Sequence, residues 1–291
     1  MDTPLIIRAF IMTFIAGMAT GIGGLVAFFA KHTKTSFLSF SLGFSAGVMI
    51  YISFTELLPD SRLIFASKYN DTASAWFSVI FLTAGFLLTA VIDMLIPSVD
   101  NPHEARDVEQ IVEMEQTGNR PDCENAKGWK HRWGRGGQIK DLPLMRVGIF
   151  TAMAIFIHNV PEGIATFISG ISETAVGVSI AFAIAIHNIP EGIAVSVPVY
   201  CATGSRKKAL IWSILSGFSE PLGAVIGLLI ISFIKGTALL GYVYAIVAGI
   251  MIYISFDELL PSAHRYGKHH TAIYGLLSGM IVIGISLLLL S

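Results

Sequence analysis

The chain has 291 residues, of which 54% are hydrophobic and 13% charged, and its net charge is −1. Soluble domains carry about 25% charged residues, so this composition excludes a water-soluble globular protein. No basic face suggests a nucleic-acid partner.

An apolar run of about 18 residues or more marks a membrane span, because roughly 20 helical residues cross the hydrocarbon. Eight such runs follow in order, at about 5–30, 36–58, 73–97, 146–169, 175–199, 209–234, 241–260 and 271–290. They predict an all-α polytopic membrane protein with eight transmembrane helices and no room for a sizeable soluble domain. The first run opens on MDTPLIIR, without the positive stretch of a signal peptide, and its apolar part exceeds a typical signal core. It is read as a working helix.

The second span ends in MIYISFTELLP (Met49–Pro59), and the seventh in MIYISFDELLP (Met251–Pro261), identical at ten of eleven positions. Spans 2 and 7 run in opposite directions, so the repeat has inverted topology, as in many secondary transporters. ATGIGGLVAFF in span 1 resembles SEPLGAVIGLL in span 6. The arrangement is therefore 3 + 2 + 3: residues 1–97 hold spans 1–3, 143–199 the central spans 4 and 5, and 200–291 spans 6–8. Ser98–Leu142 is dense in charge and Gly-rich in its second half, which predicts a largely flexible cytoplasmic loop. Its His103, His131 and Cys123 could bind metal weakly but are read first as solvated loop residues, and Cys123 and Cys201 as free thiols on a reducing side.

Orientation follows from the loop charges. With the N-terminus outside, 15 of the 19 lysines and arginines fall on the inner side, leaving Arg8, Arg62, Lys68 and Lys235 outside. Both termini then face outward.

The central spans carry IHNVPEGIA (Ile157–Ala165) and IHNIPEGIA (Ile186–Ala194). His158 lies 12 residues in from Arg146, about 18 Å along a helix and near the midplane. His187 reaches a similar depth from the other side, and Glu220, in SGFSEPLG, is near the middle of span 6. His158 with Glu162, and His187 with Glu191, are spaced i, i+4 and share a helix face, with Asn159 and Asn188 beside it. Pro161 and Pro190 cannot donate to the carbonyls of Ile157 and Ile186, which predicts irregular backbone there, and Gly163 and Gly192 admit close neighbours.

A carboxylate at the bilayer centre costs at least a few kcal/mol, and three together repel unless a cation intervenes. Imidazole with carboxylate suits divalent transition metals such as zinc, iron, nickel and manganese, while histidine argues against magnesium or calcium. The three glutamates make two ions with bridging carboxylates a plausible load. Each phrase builds half of a metal site, and two antiparallel copies complete it.

At these residues the chain resembles the ZIP (Zrt/Irt-like) family of metal-ion transporters, particularly its bacterial ZupT-like branch. HNVPEG, HNIPEG and SEPLG are the motifs that carry the resemblance, and the match covers essentially all eight spans. It implies uptake of divalent ions, zinc foremost with cadmium, iron, manganese and cobalt, into the cytoplasm across a bacterial inner membrane. The ions are substrate, and no resident cofactor is implied. By motif position, His158, Glu162, His187, Glu191 and Glu220 would hold one ion. Asn159 and Asn188, with the shared Glu162, Glu191 and Glu220, would hold the second. The resemblance also implies a homodimer, and spans 1, 4, 5 and 6 moving against spans 2, 3, 7 and 8. Met49 is a weaker ligand candidate, offered by the same resemblance, and is read first as a core methionine. Glu56 and Glu258 are placed at opposite span ends, as entrance and exit groups or as interfacial charges.

Two other functions compete. A histidine–glutamate metal site could activate water in an intramembrane hydrolase, but the H-E-x-x-H pattern is absent. The carboxylates could instead carry protons in an exchanger for another cation.

Overall fold

The computed structural model describes residues 3–29, 35–95, 142–172, 174–203, 205–233, 238–267 and 269–290. Every regular element among them is helical. They are α1 (Thr3–Phe29), α2 (Thr35–Ile52), α3 (Leu58–Ala66), α4 (Asp71–Leu95), α5 (Leu142–Ser172) and α6 (Thr174–Thr203). Then come α7 (Arg206–Gly217), α8 (Ser219–Phe233), α9 (Ala238–Ile254), α10 (Leu260–Tyr266) and α11 (His269–Leu290). Seven stretches among the described residues are long and apolar enough to cross a membrane, and the predicted fourth span is α5, a helix of 31 residues. The chain is an all-helical multi-pass membrane protein. Most of the predicted cytoplasmic loop, with His103, Cys123 and His131, lies outside the described residues, as do Lys31, Lys34, Lys235 and Lys268.

Three expectations about the spans need correction. Spans 2 and 7 were expected to end at about residues 58 and 260, yet both continue past Pro59 and Pro261, to Ala66 and Tyr266. In each, a π-helical turn (Ser53–Leu57, then Ser255–Leu259) precedes the proline. The turn closes with the Leu58 N–H on the Ser53 carbonyl and the Leu260 N–H on the Ser255 carbonyl. Each proline then falls in the opening turn of the following segment, where its missing donor is tolerated. Glu56 and Glu258 therefore lie within the helices rather than at their ends.

Span 6 was expected to be continuous, but a one-residue turn at Phe218 separates α7 from α8. Pro161 and Pro190 were expected to disturb the backbone, yet α5 and α6 run through both. One lost ladder bond does not break a helix clamped by close neighbours.

The helices form two groups. In the first, α1 packs along α6, and α5 along α8. In the second, α2 packs along α11, and α4 along α9. Exchanging spans 1–3 with 6–8 and span 4 with span 5 maps each pair onto the other within its group, as an inverted repeat requires.

Glycine makes these contacts close. A Cβ on Gly163 would overlap the Glu220 carbonyl oxygen, and one on Gly192 the Thr20 carbonyl oxygen. Small residues at such crossings are the usual means of packing helices in lipid, where no hydrophobic force joins them. The groups meet chiefly where α2 lies against α6. Nearer the start of α9, the Ser169 and Tyr244 hydroxyls pair at 2.9 Å between α5 and α9.

Candidate metal centre

Antiparallel packing of α5 against α6 sets the two motifs face to face, and the pairs cross. His187 Nε2 is 3.1 Å from Glu162 Oε2, and His158 Nε2 is 3.7 Å from Glu191 Oε2. Within α6, His187 Nε2 is 4.0 Å from Glu191 Oε1. Ligand atoms of Glu162, His187 and Glu191 all lie within 4.8 Å of one another. His158, Asn159, Glu162, His187, Asn188, Glu191 and Glu220 are all buried, none more than 2% exposed. The structure thus sets His158, Glu162, His187 and Glu191 against one another, pairs Asn188 with Glu220, and buries Asn159 next to His158 in the chain.

Glu220 sits in the first turn of α8, where the helix N-terminus favours negative charge. Its Oε1 accepts from Asn188 Nδ2, and the same amide donates to the Ala16 carbonyl at 2.9 Å. Asn188 thereby ties α1, α6 and α8 together. Glu162 Oε1, Asn188 Oδ1 and Glu220 Oε2 are buried without a hydrogen-bond partner. Buried oxygens are normally satisfied. Three acceptors left over in one region are the donor set that a cation fits.

The weaker candidates separate. Glu258, in the second π-turn, reaches the centre, with Oε2 3.6 Å from His158 Nδ1. Glu56 holds the matching place in the first π-turn, yet among the described residues no ion pair joins it to the centre. Met49 is fully buried in the apolar core. The sequence reading missed two contributors. Ser45 Oγ donates to Glu191 Oε1 at 3.3 Å, and the Ala16 carbonyl anchors Asn188. Ser45 is one turn before Met49, so facing residues across that helix could have found it. A backbone carbonyl leaves no signal in a sequence.

Chemically, two imidazoles and three carboxylates in a dry interior match zinc and its first-row neighbours. The profile of the family described as ZIP Zinc transporter matches residues 5–287. The chain belongs to the ZIP family. Among curated relatives of this ZIP-family chain, the "Zinc transporter ZupT" of Streptococcus mutans is 50% identical over 281 residues, covering 97% of each chain. The "Zinc transporter ZupT" of Clostridium perfringens is 49% identical, covering 98% of this chain and 96% of that one. The protein of the same name from Oceanobacillus iheyensis is 48% identical over the full length of both.

Proposed function

We propose that this protein carries divalent transition-metal ions, zinc foremost, across the membrane by alternating access, holding two ions between α5, α6 and α8. The crossed, fully buried His–Glu pairs of α5 and α6 carry the reading. Uncompensated, such carboxylates would be costly at this depth; with divalent ions they become ligands. Glu162, Glu191 and Glu220 bridge the ions. His158 and His187 complete the first site, and Asn159 and Asn188 the second. The division of the helices into two groups supports α1, α5, α6, α7 and α8 moving as a unit against α2, α3, α4, α9, α10 and α11. Glu258, beside His158, receives ions leaving the first site.

A hydrolase built on the same ligands would need a general base beside an open metal position, and no observation favours one. Purified protein in vesicles should take up radioactive zinc, cadmium and iron(II), and should bind two zinc ions per chain by elemental mass spectrometry. Zinc-dependent cleavage of membrane peptides or lipids without uptake would sink the transport reading.

The charge asymmetry supports both termini facing outward. An impermeant thiol reagent on intact cells should label Ser67→Cys, in the α3–α4 turn, and spare Gln138→Cys; the reverse pattern would invert the topology.

A further inference from the structure

The inverted repeat relates α1 to span 6 at an offset of 200 residues, Ala19–Phe29 against Ser219–Leu229. The packing obeys the same offset. A Cβ on Gly17 would overlap the Gly217 carbonyl oxygen and stand 3.1 Å from Glu220 Cβ. A Cβ on Gly217 would overlap the Gly17 carbonyl oxygen and stand 3.2 Å from Thr20 Cβ. The Gly17–Gly217 crossing therefore lies on the pseudo-two-fold axis, with Glu220 and Thr20 flanking it. A second set of contacts agrees: Gly163 abuts the Glu220 carbonyl, as Gly192 abuts that of Thr20. By backbone position, Thr20 is what Glu220 becomes in the other half.

Thr20 is fully buried, and its hydroxyl has no hydrogen-bond partner. Elsewhere in these helices such hydroxyls bond the carbonyl four residues back, as Thr13, Ser53, Thr166 and Ser255 do. The carbonyl Thr20 would use is that of Ala16, which already accepts from Asn188 Nδ2. That amide also holds Glu220. The orphaned hydroxyl thus stands one helical turn from the carbonyl that anchors Asn188.

We propose that Thr20 is the neutral counterpart of Glu220, its hydroxyl holding a water molecule bound to the second ion. The proposal rests on the two-ion reading above. A threonine oxygen ends two bonds short of a glutamate carboxylate at an equivalent Cβ, and a hydrogen-bonded water, about 2.8 Å between oxygens, makes up that distance. The substitution also sets charge. A carboxylate at both related positions would give four negative charges against two divalent ions. Threonine leaves three, which loosens the second ion for release.

The test uses full-length protein in detergent, with zinc per chain from elemental mass spectrometry and stepwise affinities from calorimetry. Thr20→Val keeps the shape and removes the hydroxyl. It should retain the first ion and bind the second about 10–100-fold more weakly, the usual effect of losing an outer-shell partner. Thr20→Ser should restore parental binding, which a purely packing role would not predict. Thr20→Asp adds the missing carboxylate, so it should tighten the second site and slow uptake. Two ions at parental affinity in Thr20→Val, or an unchanged second site in Thr20→Asp should Thr20→Val fail to fold, would overturn the role of Thr20. A parent that binds only one ion would overturn the two-ion reading itself.

Discussion

The two HNxPEG copies are nearly identical in sequence, but their surroundings differ. On the α5 side, His158 lies 3.6 Å from Glu258 of the second π-turn. On the α6 side, His187 has no such partner from the first π-turn, where Glu56 occupies the matching place. Conversely, Glu191 of α6 takes a hydroxyl from Ser45 of α2. The residue related to Ser45 by the 202-residue offset of that repeat is Val247, which has no hydroxyl to give. The centre is thus close to symmetric while its housing is not, and the central helix pair sits off the middle of the second helix group. On the alternating-access reading proposed above, the two halves exchange conformations between states. The opposite state is then expected to set Glu56 against His187 and to release His158 from Glu258.

The largest effect should come from removing what the two copies share. Glu162 and Glu191 hold matching positions, and each faces the other copy's histidine. Glutamine in place of either keeps size and polarity but removes a charge, leaving two divalent ions with two central carboxylates. In a low-dielectric interior that excess is not sustained, so Glu162→Gln and Glu191→Gln should each lose the second ion and nearly all uptake. Asn159→Ala removes only a neutral group and should weaken uptake or shift metal preference. Initial rates for zinc, cadmium, manganese and iron(II), at matched surface expression, measure the contrast. A dead Asn159→Ala beside a fully active Glu162→Gln would refute the bridging roles.

The next effect sharpens the asymmetry itself. Glu258→Gln removes the carboxylate beside the buried His158, and Glu56→Gln its unengaged counterpart. An exposed ion pair is worth about 0–1 kcal/mol. The His158 side of this pair is dry, so the loss should be larger, on the order of tenfold in rate. Glu258→Gln should lower the maximal rate by slowing release, whereas Glu56→Gln should raise the zinc concentration for half-maximal uptake. Identical effects of the two on both parameters would mean that the pairing in this structure has no directional meaning.

That asymmetry was not legible in the sequence, and the reason is physical. Apolar runs encode where helices cross, and the i, i+4 spacing of His158 with Glu162 and of His187 with Glu191 encodes shared faces, so the spans and the two facing His–Glu phrases could be read directly. The repeats encode the pseudo-symmetry for the same reason. Two copies of one phrase cannot encode which of them is engaged, because that depends on how one helix group sits against the other. The π-turns were hidden because the apolar runs give out at about residues 58 and 260, whereas a changed hydrogen-bond register ahead of Pro59 and Pro261 lets each helix continue. The break at Phe218 did leave a trace: Gly217 and Pro221 flank it, and both weaken a helix.

The smallest effect concerns the hydroxyl that only one side possesses. Ser45 reaches Glu191 from α2 at 3.3 Å, a long hydrogen bond. Bonds to charged groups contribute about 1.5–3 kcal/mol at good geometry, so this one should be worth about 1 kcal/mol, roughly a fivefold change in an equilibrium. Ser45 belongs to the second helix group and Glu191 to the first, so the bond exists only while the two sit as they do here. Removing it should shift the balance between states and leave the ligands intact. Ser45→Ala should therefore keep parental zinc stoichiometry and change the zinc uptake rate by a few-fold. Val247→Ser, which offers a hydroxyl at the related position, should shift the balance the opposite way. Thiol accessibility of a single cysteine at Leu63, an exposed position on α3 near the end of the second span, would report that balance. Loss of bound zinc in Ser45→Ala would instead make Ser45 part of the ligand shell, and the housing would no longer be separable from the centre.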